Sequence, residues 1–255
     1  MTTLAEPTVV DVPIESSWFS GPGAHGGFVA ALTIRHAATT VPAGHHLRSY
    51  TARFHTAVGE GPLQLSAATE RGSKRQSTVT VTGAQDGALR LAGTALFGAA
   101  SLGSTAPTVV DPPVAGPGPD EAGEPTPGMV PFTDYFDFRW IGDPPLSGKT
   151  DRIAAWLRRK DPVAVDAAEA VLLLDVLPPS LFGLLDGPTV AVPSVDYAVH
   201  LVVDLTAEPL PAGSWVAVRQ RCRGAGEGWA VDDATLHDES GRLLALATQS
   251  RRVLG

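Results

Sequence analysis

Apolar and polar positions repeat in one arrangement twice along the chain, an apolar helical segment followed by four β-prone runs. Residues 25–40 (HGGFVAALTIRHAATT) place Phe28, Val29, Leu32 and Ile34 on one stripe and predict a helix. Runs at about 47–58, 62–70, 74–83 and 88–98 then read as strands. In the third, Val79 and Val81 alternate with threonines, so one face is buried. Gly59-Glu60-Gly61-Pro62, Arg71-Gly72-Ser73 and Gln85-Asp86-Gly87 supply turns tight enough for antiparallel hairpins. The pattern returns with an apolar segment at 163–185 and strands at about 192–205, 214–223, 228–238 and 242–253. Each unit is also preceded by an aromatic run, Ser16–Ser20 ahead of Gly21-Pro22-Gly23 in the first and Phe132–Trp140 in the second, both read as short strands.

Between the two units, residues 101–130 lack periodicity and are dense in proline and glycine, which predicts a linker. The expected organisation is therefore 1–100, a linker over 101–130, and 131–255. Two α+β halves of this design most economically pair their sheets edge to edge around two central helices, so that neither keeps a long open edge.

Charge and cysteine content narrow the function. The net charge of −8 supplies no basic field for nucleic acid. Cys222 is the single cysteine, which excludes an internal disulfide, fits a reducing compartment and reads as a buried strand residue. The N-terminus shows no basic-then-apolar leader, and Asp175 interrupts the longest apolar stretch before it reaches membrane-spanning length. The expectation is a soluble, cytoplasmic protein with no membrane partner.

Several motifs fall away on inspection. Gly21-Pro22-Gly23-Ala24-His25-Gly26 satisfies G-x-G-x-x-G, but a tight antiparallel meander follows it, not a parallel dinucleotide-binding unit. No paired Cys/His spacing supports a metal site, and no G-x-S-x-G elbow supports a serine hydrolase. No cofactor is implied. The glycine-rich stretch reads instead as a helix start whose free N–H groups polarise a carbonyl.

Two polar residues stand out in apolar strands. Asp196 lies in VPSVDYAVHLVVDL on the face opposite Val195, Tyr197 and Val199, where an unpaired acid is costly. Gln249 ends the apolar run LLALATQS, while the first unit has Ala95 or Leu96 near the equivalent place. Only the second unit carries this polar pair, which suggests one site.

Trp18–Leu32 (WFSGPGAHGGFVAAL), SVDYAVHLV at 194–202, and Trp215 followed by DESGRLLALATQ at 238–249 together resemble the type II (TesB-like) acyl-CoA thioesterases. The resemblance implies a double hotdog, two antiparallel sheets each wrapped around a long central helix. It implies hydrolysis of acyl-CoA to free acid and CoA by a water held between a carboxylate, a glutamine and a hydroxyl. Asp196 would match the carboxylate and Gln249 the amide, with His25, Gly26 and Gly27 as oxyanion and substrate-binding residues. Counting without gaps from Trp215, the hydroxyl falls at Arg223, the signature of a first rival, an acyl-CoA-binding protein without turnover; a second is an enoyl-CoA hydratase using Asp196 and His200, four apart on one strand face. Arg71, Lys74 and Arg75 are candidates for CoA phosphates, and Leu172, Leu173 and Phe182 for an acyl tunnel. By resemblance, the partners are an acyl-CoA substrate and further copies in a homo-oligomer.

Overall fold

The computed structural model describes residues 6–99, 116–123, 130–187 and 190–255. The first half contains β1 (Thr8–Ile14), α1 (Gly26–Ala38), β2 (His45–Phe54), β3 (Gly61–Gly72), β4 (Gln76–Gln85) and β5 (Ala88–Ala99). The second contains β6 (Phe136–Trp140), β7 (Arg152–Arg159), α2 (Ala167–Leu173), β8 (Ser194–Leu201), β9 (Val216–Gly226), β10 (Trp229–Asp238) and β11 (Leu243–Arg252).

Among the described residues, all the strands form one antiparallel sheet of eleven, in the order β1-β3-β4-β5-β2-β8-β11-β10-β9-β7-β6. The halves therefore join edge to edge through β2 and β8, as expected, and form one continuous sheet in place of two sheets each wrapped around its own helix. The order reads alike outward from that seam: β2, β5, β4, β3, β1 on one side and β8, β11, β10, β9, β7 on the other, with β6 added beyond.

The eight meander strands fall within a few residues of their expected limits, and α1 within two. Four elements differ. The run Phe132–Trp140 is a strand only from Phe136, with a 3-10 turn over Pro131–Tyr135 ahead of it. Ser16–Trp18 forms a 3-10 turn instead of a strand, and the strand flanking α1 is β1, whose Pro13 is tolerated on a sheet edge. The strand β7 occupies a segment given no assignment from sequence. The segment 163–185 holds only seven helical residues and a 3-10 turn at Ser180–Leu184. Asp166 starts that helix by accepting the Glu169 N–H, and Pro178-Pro179 cannot continue one, so the second helix is short and not long.

The helices bury their apolar faces against one face of the sheet. Ala30, Ile34 and Ala37 of α1, Ala170, Val171 and Leu173 of α2, and Tyr50 and Tyr197 on the seam strands share one core cluster. Leu172 is buried there too, and Phe182 packs against it. Cys222 is buried on β9. Of the expected linker, residues 101–115 and 124–129 lie outside the described residues. The stretch 116–123 is laid against the second half, where Trp156 Nε1 donates to the Pro117 carbonyl and Arg139 Nη1 to that of Pro119, each at 2.9 Å. Among the described residues, no helix is long and apolar enough to cross a membrane.

Candidate active site

The helix α1 begins at a glycine pair that meets the end of α2. A Cβ on Gly27 would stand 2.8 Å from Asp175 Cβ and 2.9 Å from the Leu172 carbonyl, so only glycine allows this approach. The proximity lets the Gly27 N–H donate to Asp175 Oδ2 at 2.7 Å. Asp175 follows the C-terminus of its own short helix, where a negative charge is unfavourable; the N-terminus of the longer α1 supplies the compensating dipole. The Gly26 N–H has no hydrogen-bond partner among the described residues, and a Cβ there would stand 3.1 Å from Asp175 Oδ2.

His25 caps the same helix. Its Nδ1 accepts the Phe28 N–H at 3.2 Å, so the neutral ring carries its proton on Nε2 and donates it to the Asp175 carbonyl at 2.8 Å. Burial is the main cause holding the imidazole below its ordinary pKa, against the opposing pull of Asp175. Phe132 stacks on the ring, with centroids 4.1 Å apart.

The sheet supplies the remaining groups. Gln249 on β11 is buried and donates from Nε2 to Asp175 Oδ1 at 2.6 Å. Its Oε1 accepts from Ser194 Oγ at 3.1 Å, and Ser194 Oγ accepts from Arg251 Nη1 at 2.9 Å. A guanidinium can only donate and a carboxylate only accept, so the chain Arg251, Ser194, Gln249, Asp175 has one direction and fixes which way the amide faces. Arg251 Nε in turn donates to Asp232 Oδ2 at 2.6 Å. Asp232 also accepts from Gln220 Nε2 at 2.9 Å and from Ser180 Oγ.

Strand pairing locates the same positions in the first half. Gln249 pairs with Tyr197 and Asp232, as Ala95 pairs with Tyr50 and Val79. Beyond them both halves skip one residue at the same place, so Arg251 opposes Ser194 as Phe97 opposes Leu47. Counted from the first residue of each helix, Asp175 corresponds to Ile34. Five polar positions of the second half are thus Ile34, Leu47, Val79, Ala95 and Phe97 in the first, all buried. The polar site exists once, at the end of the seam where α1 starts.

The residues singled out from sequence divide between the two faces of the sheet. His25, Gly26, Gly27 and Gln249 converge around Asp175. Asp196 does not join them: Tyr197 takes the inward position, and the Asp196 side chain, 40% exposed, points outward and meets Arg53 Nε at 3.3 Å. Arg223 is exposed at a bulge of β9 and pairs with Asp233 at 2.5 Å, not with Asp196. The hydroxyl that reaches Gln249 belongs to Ser194. Lys74 and Arg75 lie on the turn between β3 and β4, beside a cavity of about 490 Å³ that also involves His45. Phe54, at the opposite end of β2, touches Gly26, roughly 30 Å away at the usual rise per strand residue.

Comparison with known proteins agrees with this architecture. The acyl-CoA thioesterase N-terminal domain matches residues 14–98, and the acyl-CoA thioesterase C-terminal domain matches residues 109–253. The chain belongs to the acyl-CoA thioesterase family. No curated protein matches it. Among solved structures, a hot dog fold protein of Alicyclobacillus acidocaldarius superposes with a TM-score of 0.86 at 21% identity, over 100% of this chain and 96% of that one. An acyl-CoA thioesterase II of Mycobacterium marinum gives 0.74 at 20% identity, over 98% and 95%. A tesB protein of Mycobacterium avium subs paratuberculosis gives 0.75 at 16% identity, over 99% and 96%. The fold is the hotdog fold, present in both halves, and the family is the TesB-like one.

Proposed function

We propose that Asp175 is the general base of an acyl-CoA hydrolase, with Gln249 and Ser194 orienting the water it activates. The observation that carries this is the 2.6 Å hydrogen bond between Gln249 Nε2 and Asp175 Oδ1, buried where the start of α1 meets the sheet. Each carboxylate oxygen keeps a further lone pair for a water beyond its protein donor. The water gives its proton to Asp175 as its oxygen bonds to the thioester carbonyl carbon. The carbonyl oxygen becomes an oxyanion and is received by the Gly26 N–H at the helix N-terminus, which has no partner among the described residues. Collapse re-forms the C=O bond and breaks C–S. The thiolate takes up the proton and leaves as CoA-SH beside the free acid.

The hydratase reading needs an acid and a base at adjacent substrate carbons. Asp196 and His200 both lie on the outward face of β8, and the inward site offers no imidazole base, because His25 has both ring nitrogens engaged. Hydrolysis is the reading the geometry supports.

Free-thiol release from a panel of acyl-CoAs, comparing wild type with Asp175→Asn and Asp196→Asn, is the direct test. We expect Asp175→Asn to lose about 10²- to 10⁴-fold in kcat, the usual contribution of a general base, and Asp196→Asn to remain near wild type. The opposite pattern would return the base to Asp196.

A further inference from the structure

Arg251 takes no part in the steps above, yet its side chain is only 5% exposed and touches three elements of the site. Nε is spent on Asp232 of β10 and Nη1 on Ser194 of β8; Nη2 lies 3.7 Å from Asp175 Oδ1 and has no hydrogen-bond partner among the described residues. The fold does not require a cation there, because Phe97 fills the equivalent place in the first half. A buried guanidinium is tolerated only when paired, and a buried ion pair is often no more stable than apolar residues of the same volume. Its presence calls for another reason.

We propose that Arg251 is a positioning residue for hydrolysis, acting through Ser194 and Gln249. By donating to Ser194 Oγ it leaves the hydroxyl proton one productive direction, toward Gln249 Oε1, and so turns the amide nitrogen to Asp175. Asp232, clamped by Ser180, Gln220 and Arg251, takes up the guanidinium charge. Asp175 therefore sits beside a cation without being locked into a close ion pair with it. The carboxylate stays available to water, while the positive charge offsets a second acid buried nearby.

The proposal rests on Asp175 being the base, so its test carries a separate arm for that reading. Thermal midpoints, kcat and KM for acyl-CoA hydrolysis are measured for Asp175→Asn, Arg251→Lys, Arg251→Met and the double variant Arg251→Met/Asp232→Leu. Arg251→Met alone should unfold earlier, because it strands Asp232, and the second substitution should restore much of that loss by removing both charges. The rate should not follow: kcat of the double variant stays about 10²-fold down, the scale of a misplaced reacting group, with KM within about threefold of wild type. Recovery of kcat together with stability would make Arg251 a purely structural residue and overturn the proposal. Arg251→Lys serves where the methionine variants fail to fold, since it keeps the charge but loses the two-nitrogen fork. A lysine variant with wild-type kcat would equally overturn it. Full activity in Asp175→Asn would sink the reading of the base itself, whatever the arginine variants do.

Discussion

Gln249 and Asp175, seventy-four residues apart in the sequence, meet at 2.6 Å across the junction of β11 with the turn that follows α2. The contact depends on the start of α1, because Asp175 reaches the strand only where Gly27 leaves room for it. One half of the duplicated fold thus supplies the carboxylate and amide, and the other supplies the helix N-terminus that faces them. The apolar counterparts Ile34 and Ala95 explain why a twofold architecture carries a single polar site.

Ser194 is the hinge of the hydrogen-bond relay, since it is the only member that both accepts from Arg251 and donates to Gln249. Ser194→Ala strands a buried donor and a buried acceptor and should destabilise by about 1–3 kcal/mol. It should also lower kcat, because the amide of Gln249 loses the bond that sets its direction. Ser194→Thr keeps the hydroxyl and should retain most of the activity. Equal kcat values for the alanine and threonine variants would show that the hydroxyl does not matter.

Gly27 is the closest approach between α1 and the turn bearing Asp175, and both obstructing atoms, Leu172 O and Asp175 Cβ, are part of or adjacent to the backbone. They cannot swing aside. Gly27→Ala should therefore cost about 1–3 kcal/mol by overpacking and lower kcat by about 10²-fold through displacement of the carboxylate. Thermal unfolding and thiol release measured on one preparation check both. Wild-type values for both would mean that the helix start yields without disturbing the site.

The meanders and α1 were legible because strand alternation and tight turns are local signals. Alternation also set Asp196 on the face opposite Tyr197, which is the outward face, and there an exposed acid needs nothing more than Arg53. Its apolar sequence neighbours made it conspicuous; its orientation made it ordinary. Asp175 sat in an equally apolar run and registered only as the residue that breaks a membrane span. The same argument about acids in apolar surroundings applied to it, but the run read as one long helix and hid the turn after Leu173. Ser194 carries no such signal, because ungapped counting along β9 leads to Arg223. Its partner in the relay comes from β11 by strand pairing, which sequence spacing does not reveal. The strand β7 likewise depends on contacts distant in sequence.

His25 predicts how acid acts on the protein. Burial lowers the pKa of its imidazole in the folded chain, so below the ordinary histidine pKa of about 6.5 the unfolded chain binds a proton that the folded one refuses. Stability contributed by the neutral ring is therefore complete above about pH 6.5 and falls as pH drops toward the lower folded value. Proton uptake would also end the cap, because Nδ1 could no longer accept the Phe28 N–H that begins α1. His25→Asn keeps a side-chain acceptor at the cap but cannot titrate. Thermal midpoints between about pH 7.5 and pH 5, above most carboxylate titrations, should fall more steeply for wild type than for this variant. Parallel slopes for the two proteins would place the acid sensitivity elsewhere and leave His25 as a structural cap.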